Sequence, residues 1–383
     1  MEPSKTILSQ KFYQSIKVLL VQGQIFGLIT FTFKGIQYQP SKILIFANVL
    51  KPAALLLASV YSTYLCLFGI TLPKVQKATT TMTLFSTCIY MTVVWIISAI
   101  NSHKITNFLD KIVDFDTHSA AMSSFVNYNN NRKTTIKRLL KKHFLLLIYF
   151  MGLAALSSKF ETQLEIVTMV VHAVGTLVSS GFCQQSTELV VMLHTRFTTL
   201  NKQLYNIVAH FGNPDFKNGN RKQFLTFCRV CALHHHLSKL IKFFNETFGF
   251  MMLFMFGHSF LMITVSIFYL VGLSQTSAIP WMTIYYIGST CVCYVVDVLM
   301  VCHVCYSAVE EANKSGALIH KIQTDDDNFL NEIEMFSLQI ANTKVGFSAA
   351  EFFPINYTLV FSIIGGVTTY IIILLQLAAS IEL

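Results

Sequence analysis

Three polar residues recur at seven-residue intervals in the last apolar segment of the chain. They are Ser362, Thr369 and Gln376, within residues 354–379. Positions seven apart on an α-helix return to nearly the same face, displaced by about 20°, so the three side chains form one narrow stripe. An amide is costly to bury in lipid without a hydrogen-bond partner, and the stripe must therefore face protein or water. Two interpretations stay open: packing between helices, or the lining of an aqueous pore built from several copies.

Two groups of metal-ligand residues occur elsewhere in the chain. Cys302-His303-Val304-Cys305 has a metal-like spacing, but no second Cys or His pair follows nearby to complete a tetrahedral site. His234-His235-His236 cannot share one metal on a helix, because consecutive residues point about 100° apart. We therefore expect neither a metal site nor a cofactor, and no histidine set for an intramembrane enzyme.

Composition assigns these residues to membrane-spanning elements. Apolar residues make up 53% of the 383 positions and charged residues 12%, against about 25% charged residues in soluble domains. A spanning helix needs about 20 mostly apolar residues. Seven segments meet this requirement: 43–70, 78–100, 143–159, 165–192, 248–271, 281–303 and 354–379. The sequence predicts an all-α membrane protein with seven transmembrane helices.

Charged residues inside the predicted spans need partners. Asp297 lies in the sixth span, where an unpaired carboxylate costs about 2.5–3.5 kcal/mol. Lys51 in the first span and Glu188 in the fourth lie in the same third of the membrane. Two arrangements are open: a Lys51–Asp297 ion pair, or side chains that each extend to the inner interface.

The distribution of Lys and Arg predicts the orientation. These residues are concentrated in segments on one side of the spans: 1–42, 101–142, 193–247 and 304–353. Positive charge stays cytoplasmic, so the N-terminus is predicted inside and the C-terminus outside. This orientation is opposite to that of G-protein-coupled receptors, and no G protein is expected. The net charge of +9 reflects this bias and contact with anionic lipid, not a nucleic-acid partner.

The basic segments contain amphipathic helices. Apolar residues recur every three or four positions in 187–209, 221–247 and 328–345, which predicts helices with one apolar face. The first two extend the fourth and fifth spans inward, and 211–220 is predicted to be the turn between them. NYNNNRK at 127–133 is predicted to be an exposed turn. A helical bundle below the membrane follows from this pattern.

The stretch FSLQIANTKVGFSAAEFFPINYTLVFSIIGGVTTYIIILLQ, residues 336–376, resembles the C-terminal signature of the insect gustatory receptors. That signature is Thr-Tyr, five apolar residues and Gln-Phe. Thr369-Tyr370, the apolar residues 371–375 and Gln376 match it, whereas Leu377 replaces the usual Phe. Residues 196–201 and 234–254 also resemble segments of this family.

The resemblance implies a tetrameric ligand-gated cation channel, as a homotetramer or a heteromer with related subunits, in the plasma membrane of sensory neurons. The seventh helix of each subunit would line the pore, with Gln376 at the extracellular gate. The pore residues implied are Ser362, Thr369, Ile373, Gln376 and Leu377. The implied segments are a cytoplasmic N-terminal segment (1–42), transmembrane helices one to four (43–192), a cytoplasmic anchor extension (193–247), helices five and six (248–303), an anchor with a pre-pore amphipathic helix (304–353), and the pore helix with a short tail (354–383).

A small-molecule tastant is the implied ligand, bound among helices two to six and reached from outside. The candidate contacts, chosen by residue type in the outer halves of the spans, are Tyr90, His172, Tyr269, Trp281 and Tyr285. Few acidic side chains lie there, which favours bitter or other hydrophobic tastants. A sugar-gated channel of the same family is the alternative. A membrane transporter is a further alternative from another class, for which paired broken spans in symmetric halves are expected and not seen.

Overall fold

The described part of the chain is almost entirely helical. The computed structural model describes residues 3–34, 37–65, 68, 74–120, 126–157, 163–211, 221–274 and 281–382. The helices are α1 (Pro3–Phe26), α2 (Lys42–Tyr64), α3 (Lys74–Ile100), α4 (Ser102–Ala120), α5 (Tyr128–Ser157), α6 (Gln163–Phe211), α7 (Arg221–Ser274), α8 (Trp281–Ile319), α9 (Asp327–Asn342) and α10 (Tyr357–Glu382). Two antiparallel hairpins pair β1 (Phe31–Lys34) with β2 (Gln37–Pro40) and β3 (Ser348–Ala349) with β4 (Phe353–Pro354).

Seven of these helices are long and apolar enough to cross a membrane. They are α2, α3, α5, α6, α7, α8 and α10, which confirms the all-α membrane fold and the number of spans. Residues 212–220, most of the predicted turn between the fourth and fifth spans, lie outside the described residues. The orientation of the chain in the membrane stays a prediction.

Two local predictions are wrong. The segment 127–133 is not an exposed turn, because α5 begins at Tyr128 and the Asn127 side chain caps it by accepting a hydrogen bond from the Asn130 amide at 3.0 Å. The last span does not begin at 354, because Phe353–Pro354 pairs with Ser348–Ala349 as a strand. The following helix α10 begins at Tyr357, after Asn356, whose side chain accepts from the Thr358 amide at 2.9 Å.

Three helices continue far beyond the thickness of a bilayer. α6, α7 and α8 contain 49, 54 and 39 residues, whereas about 20 residues span the hydrocarbon core. The predicted inward extensions of the fourth and fifth spans are therefore continuous with the spans themselves. Their ends pack against α9, where Phe329 lies 4.9 Å from Phe211 and from Phe227 between ring centroids.

Two helices, α1 and α4, were not predicted from the sequence. Residues 1–42 contain α1 and the β1–β2 hairpin, and α4 follows the second span. In α4, Ile105, Phe108, Ile112 and Phe115 are buried at intervals of three and four. The same periodicity was readable in the sequence, and it places α4 against the body of the bundle.

The prediction of a Lys51–Asp297 ion pair is wrong. Lys142 on α5 forms the salt bridge with Asp297 on α8, and both side chains are buried, with 3% and 2% exposure. Lys51 instead donates to the Asn48 side chain at 3.0 Å and lies 5.6 Å from the ring centroid of Trp95. Burial of Asp297 also excludes the alternative in which its carboxylate extends to the interface.

Glu188 does not extend to the interface either. Its carboxylate accepts hydrogen bonds from Nε and Nη2 of Arg138, each at 2.7 Å, and from the Thr135 hydroxyl at 2.9 Å. A second buried pair joins α6 to α4, where Arg196 donates to both carboxylate oxygens of Asp116 at 2.9 and 2.5 Å. These pairs fix α4 and α5 against α6, because buried charges are stable only when paired.

Candidate functional site

A cavity of about 460 Å³ opens among α3, α6, α7 and α8, at the helix ends that lie away from α9. Its walls mix hydroxyl-bearing and apolar side chains with one imidazole. The lining residues are Thr80, Thr83, Thr168, His172, Met262, Val265, Ser266, Tyr269, Leu273, Thr283, Tyr286, Ile287 and Thr290. The volume lies in the range of small-molecule sites, which is about 300–1,000 Å³.

Hydrogen bonds across the helices hold the polar wall of the cavity in place. The Tyr269 hydroxyl lies 2.9 Å from the side-chain oxygens of both Thr79 and Thr80, which joins α7 to α3. The Thr168 hydroxyl lies 2.8 Å from that of Ser62 and joins α6 to α2. The polar groups of this wall are therefore fixed before any ligand binds.

His172 offers an unused hydrogen-bonding group in the same wall. Its Nδ1 atom is buried and has no hydrogen-bond partner among the described residues. A neutral imidazole carries one donor and one acceptor, and a buried nitrogen without a partner is uncommon in folded proteins. The cavity can thus bind a ligand through apolar contact and through the hydroxyl groups of its polar wall, beside the His172 ring.

The structure brings only some of the candidate ligand residues together. His172 and Tyr269 line this cavity. Tyr90 lies elsewhere, buried against His258, with the two rings nearly parallel and 4.9 Å apart. Trp281, 70% exposed, stands at the start of α8 and is not among the lining residues. Tyr285 points to α5 and donates to the Ile148 carbonyl at 3.1 Å.

Several lining residues were missed by the choice of aromatic and histidine side chains. Thr168 precedes His172 by one helical turn, and Met262, Ser266, Tyr269 and Leu273 follow one face of α7. Intervals of three and four mark one side of a helix. Extending the helical periodicity from Tyr269 and His172 would have found these positions in the sequence.

The polar stripe of α10 faces away from its own chain. Ser362, Thr369 and Gln376 are all exposed, as are Ile373 and Leu377 at 49% and 47%. The Ser362 and Thr369 hydroxyls donate to the carbonyls of Thr358 and Gly365 at 3.1 and 2.9 Å. Packing of the stripe against other described helices of the same chain is therefore excluded, while packing between copies and a pore lining stay open.

α10 packs on the bundle mostly through partly buried side chains, such as Leu359, Ile363 and Ile371. Val367 is the only buried side chain of α10 among those described, and it packs in a cluster with Met262, Ile263 and Tyr294. Beside it, a Cβ atom on Gly366 would lie 2.9 Å from the Phe260 ring, so glycine allows the close approach of α10 to α7. Met262 also lines the cavity, and the cavity and α10 therefore share a wall.

Two of the three consecutive histidines, His234 and His236, are held by separate contacts. Nε2–H of His234 donates to the Ala312 carbonyl at 3.1 Å, and its ring meets that of Phe336 edge to face at 5.3 Å. His236 stacks on Phe115 at 6.3 Å. Burial lowers the pKa of His234 and of His236. Among the described residues, no three His, Cys, Asp or Glu side chains are placed to hold a metal ion.

A family model described as 7tm Chemosensory receptor matches residues 16–380. The chain is 22% identical over 334 residues to Putative gustatory receptor 28b of Drosophila melanogaster, covering 78% of this chain and 69% of that protein. It is 27% identical over 161 residues to Gustatory receptor for bitter taste 66a of Drosophila melanogaster, covering 38% and 29% of the two chains.

The fold is similar to that of a solved insect receptor. The structure of olfactory receptor OR5 from Machilis hrabei in complex with eugenol superimposes with a TM-score of 0.68 and covers 96% of this chain and 98% of that one. The two sequences are 15% identical, so the likeness concerns the arrangement of the helices.

Proposed function

This chain belongs to the 7tm chemosensory receptor family, and on that premise we propose that it is a gustatory receptor acting as a ligand-gated, non-selective cation channel. One observation carries the proposal. The polar stripe of α10 is exposed along its length, while the opposite face is joined to the ligand cavity through Val367 and Met262. A helix of this kind suits a pore wall that responds to a ligand.

The proposed assembly is a tetramer, either of this chain alone or with related subunits. Four copies of α10 would surround a central path, with Ser362, Thr369, Ile373, Gln376 and Leu377 directed toward it. Water or a second copy would then satisfy the amide of Gln376, which would be costly in lipid. No acidic residue lies on the stripe, and we therefore expect weak discrimination among cations.

In the proposed orientation, α9 and the ends of α6, α7 and α8 that pack against it lie in the cytoplasm. They form the anchor that holds the subunits together. The Lys and Arg bias supports this orientation. The cavity then opens toward the extracellular side, where tastants arrive. The expected location is the plasma membrane of sensory neurons, and neither a G protein nor a catalytic activity is part of the proposal.

Bitter or other hydrophobic tastants fit the cavity best. Met262, Val265, Leu273 and Ile287 supply apolar wall area, and no charged side chain lines the cavity in the part of the chain that the structure describes. One relative is named for bitter taste. Sugars are the second candidate, because the threonine, serine and tyrosine hydroxyls of the walls could bind several hydroxyl groups of a sugar.

Gating requires that the ligand bind the open state more tightly than the closed state. A ligand in the cavity would contact Met262, which belongs to the same packed cluster as Val367. A shift of this wall would therefore reach α10 at Val367, its one buried side chain among those described. His172 and Tyr269 would orient the ligand, and Met262 would transmit its presence.

Whole-cell current from cells expressing this chain tests the proposal, with panels of bitter compounds and sugars. Thr369→Ala and Gln376→Ala should change conductance or open probability at normal surface expression. Thr368→Ala is a matched control, because its exposed hydroxyl also donates to a carbonyl one turn back, at 2.9 Å, but points off the stripe. Equal effects of Thr368→Ala and Thr369→Ala would refute the pore assignment.

A further inference from the structure

A second cavity lies between α3 and α7 and shares no lining residue with the first. Its volume is about 580 Å³. Met82, Phe85 and Ile89 stand at its mouth, with 54%, 45% and 52% of each side chain exposed. These residues belong to a membrane-spanning part of α3, and the cavity therefore opens sideways into the bilayer.

The floor of this second cavity is polar. The Ser86 hydroxyl lies 3.0 Å from Nδ1 of His258, and Nε2 of His258 lies 3.2 Å from the Tyr294 hydroxyl. Tyr90 covers one face of the imidazole, with the rings 4.9 Å apart and 5° from parallel. A serine hydroxyl both donates and accepts, so Ser86 can hold one further polar group at the base of an otherwise apolar cavity.

We propose that this cavity binds an apolar alcohol dissolved in the bilayer, of about the size of a sterol. The apolar body would lie against Phe85, Leu253 and Phe254, and the hydroxyl would bond to Ser86 at the floor. Because the cavity opens into the bilayer, its ligand is expected to enter from the lipid and not from water. None of the described lining residues carries a charged side chain, which disfavours a phospholipid headgroup, whose charge would be left unpaired.

The second site is linked to the pore helix by one step. Tyr294 contacts His258 at the floor and packs in the same cluster as Val367 of α10. An occupant of this cavity would therefore act on the same cluster around Val367 as a ligand in the first cavity. Its effect on gating rests on the proposed channel function, whereas its binding does not.

A photoreactive cholesterol analogue with a free hydroxyl tests the binding, using the full chain in phosphatidylcholine nanodiscs. We expect crosslinks on α3 and α7 around Phe85 and Phe254, with competition by cholesterol and not by cholesteryl acetate. Gly257→Leu should reduce labelling at least tenfold, because no atom lies within 4 Å of a Cβ at Gly257 and the new side chain fills the cavity. Gly272→Leu, equally unobstructed on α7, should leave labelling unchanged.

Ser86→Ala gives a second test that does not change the cavity volume, and it should weaken labelling severalfold. Labelling spread evenly over the lipid-facing helices and insensitive to Gly257→Leu would overturn the proposal and leave only acyl chains in the cavity. Equal competition by cholesteryl acetate would overturn the role of the hydroxyl. Specific labelling without any ligand-evoked current would support this site and refute a channel formed by this chain alone.

Discussion

Replacing Lys142 by methionine tests the buried charge pair that joins α5 to α8. Methionine keeps much of the length of the side chain and removes the ammonium group. The carboxylate of Asp297, 2% exposed, then remains in the bilayer with no other Lys, Arg or His at ion-pair distance among the described residues. We expect Lys142→Met to lower both stability and surface expression.

Two independent arguments give similar magnitudes. Removing one partner of a buried ion pair costs about 3–5 kcal/mol, and an unpaired carboxylate at the centre of a spanning helix costs about 2.5–3.5 kcal/mol. A loss of about 3 kcal/mol lowers the ratio of folded to unfolded protein by more than about 100-fold. The double variant Lys142→Met/Asp297→Leu leaves no charge to satisfy and should recover to within about 1 kcal/mol of the parent.

Surface biotinylation measures the surface expression. Thermal unfolding, monitored by size-exclusion chromatography of heated samples, measures the stability. Lys51→Met is the matched control, because it removes a lysine from a spanning helix but breaks no ion pair. It loses one hydrogen bond to Asn48, worth about 0.5–1.5 kcal/mol, and one cation–π contact with Trp95, worth about 0.5–1 kcal/mol. If Lys142→Met unfolded at the same temperature as the parent protein, the reasoning would be refuted. A double variant as unstable as Lys142→Met alone would show that the loss does not come from an unpaired Asp297.

Three further predictions address coupling, the buried pair of α4 and α6, and pH. Val367→Ala should cost about 1 kcal/mol of packing and shift the ligand concentration for half-maximal current about fivefold; an unchanged dose–response curve would argue against coupling through this residue. Arg196→Met should lower the free energy of unfolding by about 3–5 kcal/mol, measured by denaturation in detergent, and Arg196→Met/Asp116→Leu should recover most of it. Because burial lowers the pKa of His234, the unfolded state takes up a proton first as the pH falls below about 6.5. Stability should therefore be full above that pH and decline below it; His234→Gln should flatten the dependence of unfolding temperature on pH, and exposed His103→Gln should not.

The membrane spans and their continuation into the long helices α6 and α7 could be predicted because the sequence patterns that mark them are local. An apolar run of sufficient length marks a spanning helix, and intervals of three and four continue that helix past the membrane. The partner of Asp297 could not be predicted in this way. Lys51 and Lys142 are both cations of spanning helices, and only the packing of α5 against α8 decides between them.

The candidate ligand residues show a similar limit. Residue type and depth in the membrane selected Tyr90, His172, Tyr269, Trp281 and Tyr285, but depth does not give the rotation of a helix about its axis. Tyr285 and Tyr286 are neighbours on α8, yet Tyr286 lines the cavity while Tyr285 contacts α5. The stripe of α10 was easier to recognise because its three members share one face by their spacing alone.

The length of α7 has a mechanical consequence. The helix runs without a proline from Arg221 to Ser274, and near its middle Gly249 lies against the hairpin, where a Cβ would stand 2.8 Å from the Ala350 amide nitrogen. At 1.5 Å per residue, about 40 Å of α7 lie on each side of this contact. Tyr269 in the wall of the first cavity and Phe227 beside α9 are therefore joined by one uninterrupted helix.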